Sequence, residues 1–119
     1  MIYVANPYTH RLKKMKKRRF QEALDYTVFL CNDGEIVFSP IVHSHPLAEH
    51  GVDASWEYWK KLDLRILSVC DELHVMALKG WNDSIGVMAE IEFAFMMGIP
   101  VYMVDQLNDG SWVKKEYFR

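Results

Sequence analysis

The sequence is short of the features that would settle its class at once. Its 119 residues include only two cysteines, Cys31 and Cys70, too far apart to form a CxxC pair. That excludes a disulfide-stapled domain and a cysteine-ligated cluster, and predicts reduced, buried thiols in a cytoplasmic protein. No apolar run approaches the ~18 residues of a membrane span, and no stretch has the layout of a secretory leader, so no membrane partner is expected. Internal repeats, low-complexity segments and linker-like stretches are also missing. The net charge is only −2, which gives no overall pull toward nucleic acid or an anionic surface. What is present is a chain that is 50% hydrophobic, enough to bury a core as one domain spanning residues 1–119.

The charge is balanced overall but not locally. "RLKKMKKRR", Arg11 to Arg19, holds seven basic residues in nine. On a helix with Leu12, Met15, Phe20 and Ala23 turned inward, such a run reads as a solvated face, and nucleic-acid binding is not expected.

Along the chain, "MIYVA" reads as a short strand broken by "NPYTH", since Pro7 cannot continue a central strand. Thr9 offers an N-cap for a helix to about Phe29. "NDG" is a turn, "EIVFSP" a second strand ended by Pro40, and "IVHSHPLAEHGVD" a long polar loop with three histidines. A helix from about Ala54 to Val69 precedes the strand "ELHVMAL". Then come a helix over Ile85–Met97 and a strand "VYMV". The tail reads as either an edge strand or a final helix. Strands alternating with helices predict an α/β fold, a three-layer sandwich around a parallel sheet of four to five strands.

In such a sheet ligands collect at the carboxyl ends of the strands, where the strand order reverses. Three loops should face that crevice. The first offers Asn6 and Tyr8, with Arg11 just beyond; the second offers His43 and His45; the third offers Trp81 and Asn82. The His-x-His spacing lacks a partnering carboxylate or cysteine cluster, so no metal is expected. Trp56 and Trp59 read as core or interface residues.

Two carboxylates stand where carboxylates are costly. At 100° per residue, Trp59, Leu62, Ile66, Leu67 and Cys70 share a stripe about 140° wide, and Asp63 lies inside it. It pairs with a neighbouring Arg or His, caps a loop from below, or faces the crevice. Glu90 and Glu92, two residues apart on a helix apolar nearly all round, point about 200° from each other. Glu90, with Gly86 and Ala94 as its small same-face neighbours, is the one expected in the crevice, and Glu92, between Met88 and Met96, turns away. Asp83 or Ser84 should cap this helix, and Gly86 in its first turn would let a ligand approach free amides.

The opening "IYVANPY", an acid eight residues before the Asp of "CDELHVMAL", and "S-x-G-x-x-x-E-x-x-x-A" followed by "GIPV" together resemble the nucleoside 2-deoxyribosyltransferase-like superfamily. That group includes the nucleoside 5'-monophosphate N-glycosidases. The resemblance implies a flavodoxin-like sheet with no metal or cofactor. It also implies Glu90 as nucleophile, Asp63 as the acid that protonates the base, and Tyr3 as the group holding the nucleophile. The deoxyribosyltransferases carry Asp where this chain has Ser84, and the monophosphate glycosidases carry Ser. The resemblance therefore points to a nucleoside 5'-monophosphate over a free nucleoside. It implies contacts from the histidine segment to the base or phosphate, and a homodimer or higher homo-oligomer, for which Met96 and Met97 are candidate contacts.

The function expected is cleavage or transfer at the N-glycosidic bond of a nucleoside or its monophosphate through a glycosyl-Glu90 intermediate. A non-catalytic nucleotide sensor on the same scaffold is the alternative.

Overall fold

The apolar opening forms a central strand. In the computed structural model, which describes residues 1–119, β1 (Ile2–Ala5) pairs in parallel with β2 (Val37–Phe38) on one side and β3 (Glu72–Met76) on the other. The parallel run continues into β4 (Val101–Gln106), and β5 (Trp112–Glu116) closes the sheet antiparallel, giving the order β2-β1-β3-β4-β5. Four helices flank it: α1 (Lys13–Asn32), α2 (Pro40–Glu49), α3 (Trp56–Leu67) and α4 (Ile85–Met97). The protein is α/β with a mostly parallel, mixed sheet. The chain leaves β1 toward β2 and returns to β3 on the far side, so the strand order reverses between β1 and β3.

Period-two alternation along the strands divides the core in two. Tyr3, Ala5, Leu73, Val75 and Val101 pack against Leu67 of α3 and Val87, Ile91 and Ala94 of α4. Ile2, Val4, Met76 and Val104 pack on the other face against Ala23, Tyr26 and Leu30 of α1. His74 is buried on that second face and fully partnered: its Nδ1 lies 2.7 Å from the Tyr26 hydroxyl and its Nε2 2.8 Å from Glu72. No helix is long and apolar enough to cross a membrane.

Several expectations need correction. The histidine segment is a helix, not a loop. Ser39 caps it by accepting from the Val42 N–H at 3.2 Å, and Pro40, which ends β2, also stands in the first turn of α2, where a missing N–H costs nothing. Helix α1 begins at Lys13, with Leu12 in the capping position and no side-chain cap. Thr9 cannot serve, because its carbonyl is held in the preceding turn by the Arg19 guanidinium at 2.9 Å. The tail is the edge strand rather than a helix, and the β4–β5 turn carries Gly110 at φ 88°. Of the two free thiols Cys70 is buried but Cys31, in the last turn of α1, is exposed. Leu12, expected to turn inward, is 40% exposed.

Leu73 is 0% exposed at the centre of the sheet, whereas Ile36 is 73% exposed. Leu73→Ala should cost about 2–5 kcal/mol in urea unfolding and Ile36→Ala under about 0.5 kcal/mol. Comparable losses would misplace the core.

Candidate functional site

At the carboxyl ends of β1 and β3, beside the reversal of strand order, α2, α3 and α4 enclose a narrow cleft of about 60 Å³. Asn6 and Tyr8 reach it from the segment after β1, Ser44 from α2, Trp56, Trp59 and Asp63 from α3, and Glu90 from α4. Asp63 and Glu90 are 5% and 4% exposed, so two carboxyl groups with almost no bulk water share one wall.

Glu90 is held by the Tyr3 hydroxyl, which donates to its Oε2 in a short hydrogen bond. Tyr3 is itself 0% exposed, so each group supplies the partner that the other needs when buried. The other Glu90 oxygen has no protein donor. Burial raises the Glu90 pKa to about 8; the Tyr3 bond opposes the shift and the charge of Asp63 adds to it. The Tyr3 phenol is pushed well above its ordinary range by burial and by both carboxylates. Glu92, on the opposite face, is an exposed side chain paired with Arg119. The helical period thus separates the two acids as their spacing requires.

Asp63 accepts no hydrogen bond from the protein. Burial alone lifts its pKa to about 7. A carboxyl group this buried and this unpartnered is neutral at modest pH. Asn6 adds a second unmet need. Its Nδ2 donates to the carbonyls of Pro7 and Arg19, each at 3.2 Å, but its buried Oδ1 has no donor.

The start of α4 forms the next wall. The Val87 N–H donates to Ser84 Oγ at 3.2 Å, which settles the cap as Ser84 rather than Asp83. That bond uses an acceptor site and leaves the Ser84 O–H free to donate. The amides of Ile85 and Gly86 have no acceptor in the chain, and the helix dipole places partial positive charge there. The space above Gly86, expected to admit a ligand, is filled by Trp56: a Cβ at Gly86 would lie 3.3 Å from the indole. Outside Trp56 a second crevice of about 510 Å³ holds His10, Arg19, Asp83 and Ile85, and it shares Thr9, Ser55, Trp56, Ser84 and Gly86 with the cleft. Trp56 is therefore the partition between the acid pair and the outer crevice.

Of the residues singled out in the sequence, Asn6, Tyr8, Asp63, Ser84, Gly86 and Glu90 line the cleft, and Tyr3 stands behind Glu90. His45 is buried just beside it, its Nδ1 2.7 Å from the Tyr8 hydroxyl. The structure does not bring the others in. Arg11, His43 and Asn82 are exposed, His43 packing edge-on against Trp59 at 5.6 Å, and Trp81 packs against Tyr117 at 6.0 Å. Trp56 and Trp59 were the omission. They precede Asp63 by seven and four residues, the spacing of one helix face, which was a legible signal.

A larger hollow of about 520 Å³ lies at the amino ends of the strands. Two of its acids are already satisfied, Asp71 by the terminal amine and Glu72 by His74 and Lys114. The small cleft, with its unpartnered carboxyl and carbonyl oxygens, is the chemically poised one.

The acid pair has a stability signature. Folded, Asp63 and Glu90 keep their protons to about pH 7 and about pH 8; unfolded, they release them near pH 4. Between those limits the folded state binds more protons, so stability falls as pH rises through the window, and the loss is complete above the folded pKa values. Asp63→Asn removes one share: its melting temperature should fall several degrees less than that of the unaltered protein between about pH 5 and about pH 8. Parallel falls would show that Asp63 is not desolvated.

Comparison with known proteins adds a family and no activity. No curated protein matches the chain. Residues 1–106, which carry β1 through β4 and every side chain of the cleft, match the family described as Domain of unknown function (DUF1937), and the chain belongs to that family.

Proposed function

We propose that the protein cleaves or transfers at the N-glycosidic bond of a nucleoside 5'-monophosphate. One observation carries the reading: two buried carboxyl groups face a single cleft where the strand order reverses, one gripped by a phenol and the other unpartnered. Both pKa values are raised by burial, and between them the pair retains one proton. That singly protonated form supplies one nucleophile and one acid. The bond from Tyr3 stabilises the charged form of Glu90, and in this mechanism the retained proton is the one on Asp63.

In the first step a Glu90 oxygen attacks C1' and the C1'–N bond breaks, its electron pair leaving with the base. Asp63 gives its proton to that base. In the second, water or another base attacks C1', the ester bond to Glu90 breaks, and Asp63 takes up the released proton. The free amides of α4 and the Ser84 hydroxyl suit a phosphate, where an aspartate would repel it. The Asn6 oxygen suits a hydroxyl or N–H of the sugar or base.

The cleft alone holds about 60 Å³, two waters' worth, so substrate admission requires Trp56 to swing from Gly86. Cleft and outer crevice then join to give the several hundred Å³ that a nucleotide needs.

Incubation with deoxynucleoside and ribonucleoside monophosphates, followed by chromatography, should show free base. Glu90→Gln should abolish release, Asp63→Asn should lower it about 10²–10⁴-fold, and Glu92→Gln should leave it within about twofold. The rate should follow a bell whose limbs both lie above the ordinary carboxyl range, and Asp63→Asn should erase the alkaline limb. Nucleotide binding that survives Glu90→Gln, with no base released from any substrate, would instead establish a sensor.

A further inference from the structure

The basic run of α1 is more than a solvated face. Lys13, Lys14, Lys16 and Lys17 line a groove of about 410 Å³ together with Tyr8 and His45. None of the four makes an ion pair, although Arg18 in the same run pairs with Glu22 at 3.2 Å. The one carboxylate on the groove wall, Glu49, lies 3.4 Å from His45 Nε2. Four cations face one hollow and pair with no carboxylate, the single acid of its wall, Glu49, included.

Their place on the helix sharpens the point. They occupy the first turns of a 20-residue helix, whose first turn has no acid and whose cap position has no side-chain bond. Positive charge is unfavourable at that end of a helix dipole. The amides of Lys13 and Lys14 also lack acceptors. A bound anion reverses each of these local penalties. The wall behind the lysines is rigid: the His45 ring, 5% exposed, stacks on Phe20 at 4.5 Å, and Lys16 Nζ sits 5.9 Å from the Tyr8 ring centre. Tyr8 and Ala54 line both groove and cleft, so one begins where the other ends.

We propose that this groove takes a second phosphate-bearing segment of the molecule whose glycosidic bond lies in the cleft. The ligand then carries a phosphate chain beyond the single phosphate served by Ser84 and α4. Two sources share that chemistry, a nucleoside triphosphate and a single-stranded oligonucleotide. Placing the reacting bond rests on the glycosidase reading; binding in the groove does not.

The test is fluorescence anisotropy of a labelled single-stranded oligodeoxynucleotide on the Glu90→Gln protein, with unlabelled deoxynucleoside triphosphate and monophosphate as competitors. Affinity should fall as salt rises from about 50 to about 200 mM, with a log–log slope of about −0.7 per phosphate held. The variant K13Q/K14Q/K16Q/K17Q should bind at least about tenfold more weakly with a flattened slope, while K60Q/K61Q/K114Q/K115Q, an equal charge change elsewhere, should bind about as before. Displacement by triphosphate alone assigns the groove to a free nucleotide, and resistance to it assigns the groove to a strand. If neither ligand binds more tightly than the monophosphate, or if both quadruple variants lose affinity equally, the groove is not a site, and base release from monophosphates is untouched. If groove binding holds while no base is ever released, the glycosidase reading falls and this one stands.

Discussion

The hydrogen bond from Tyr3 to Glu90 is the constraint around which the rest is arranged. It ties the central strand to the most apolar helix through two polar groups, both buried. Either alone would be an unpaired polar group in the core, at a cost of several kcal/mol by transfer from water. Together they fix the Glu90 carboxyl in one orientation while leaving its second oxygen to the cleft. That fixation requires Tyr3 and α4 to lie on the same face of the sheet. The register of β1 against β3, with Tyr3 opposite Leu73, and the packing of Val87, Ile91 and Ala94 on that face supply it.

Trp56 sets the electrostatics of the same group. The indole lies against Gly86, and burial holds the pKa values of the two acids well above the ordinary carboxyl range. Swinging the indole outward admits water, which lowers both pKa values and lets both acids ionise. On the proposed function, closure of the indole over a ligand would keep the proton that acid-assisted chemistry needs by excluding water.

How much of this was legible in the sequence depends on how each residue is placed. Helical periodicity carries direction, so the divergence of Glu90 and Glu92 and the inward turn of Asp63 followed from spacing alone, and the structure bears both out. The bounds of α4 were legible too: the helix read over Ile85–Met97 is the one observed, between Ser84 and Gly98. Helix α2 was hidden by its composition: Pro40 read as the end of a strand, but it stands where a helix tolerates proline, and Pro46 does not prevent a helix of ten residues. The direction of β5 was not legible, since it is set by pairing with β4 and not by anything local. The Tyr8–His45 contact joins residues 37 positions apart, and no periodicity reaches that far.

The two helix amino ends beside the cleft are built in opposite ways, and the difference has a consequence for ligand approach. That of α4 is capped by Ser84, uncharged and tight against Trp56. That of α1 is uncapped and carries four unpaired lysines. Between them lie two acids that would repel any anion if ionised and exposed. A phosphate-bearing ligand of the proposed kind would meet positive potential at the rim, where charge acts over about a Debye length, and the carboxyl groups only inside, where burial raises their pKa values. On the proposed function, separating cations at the mouth from acids at the floor would let a net-negative chain attract an anion to a site whose chemistry depends on carboxylates.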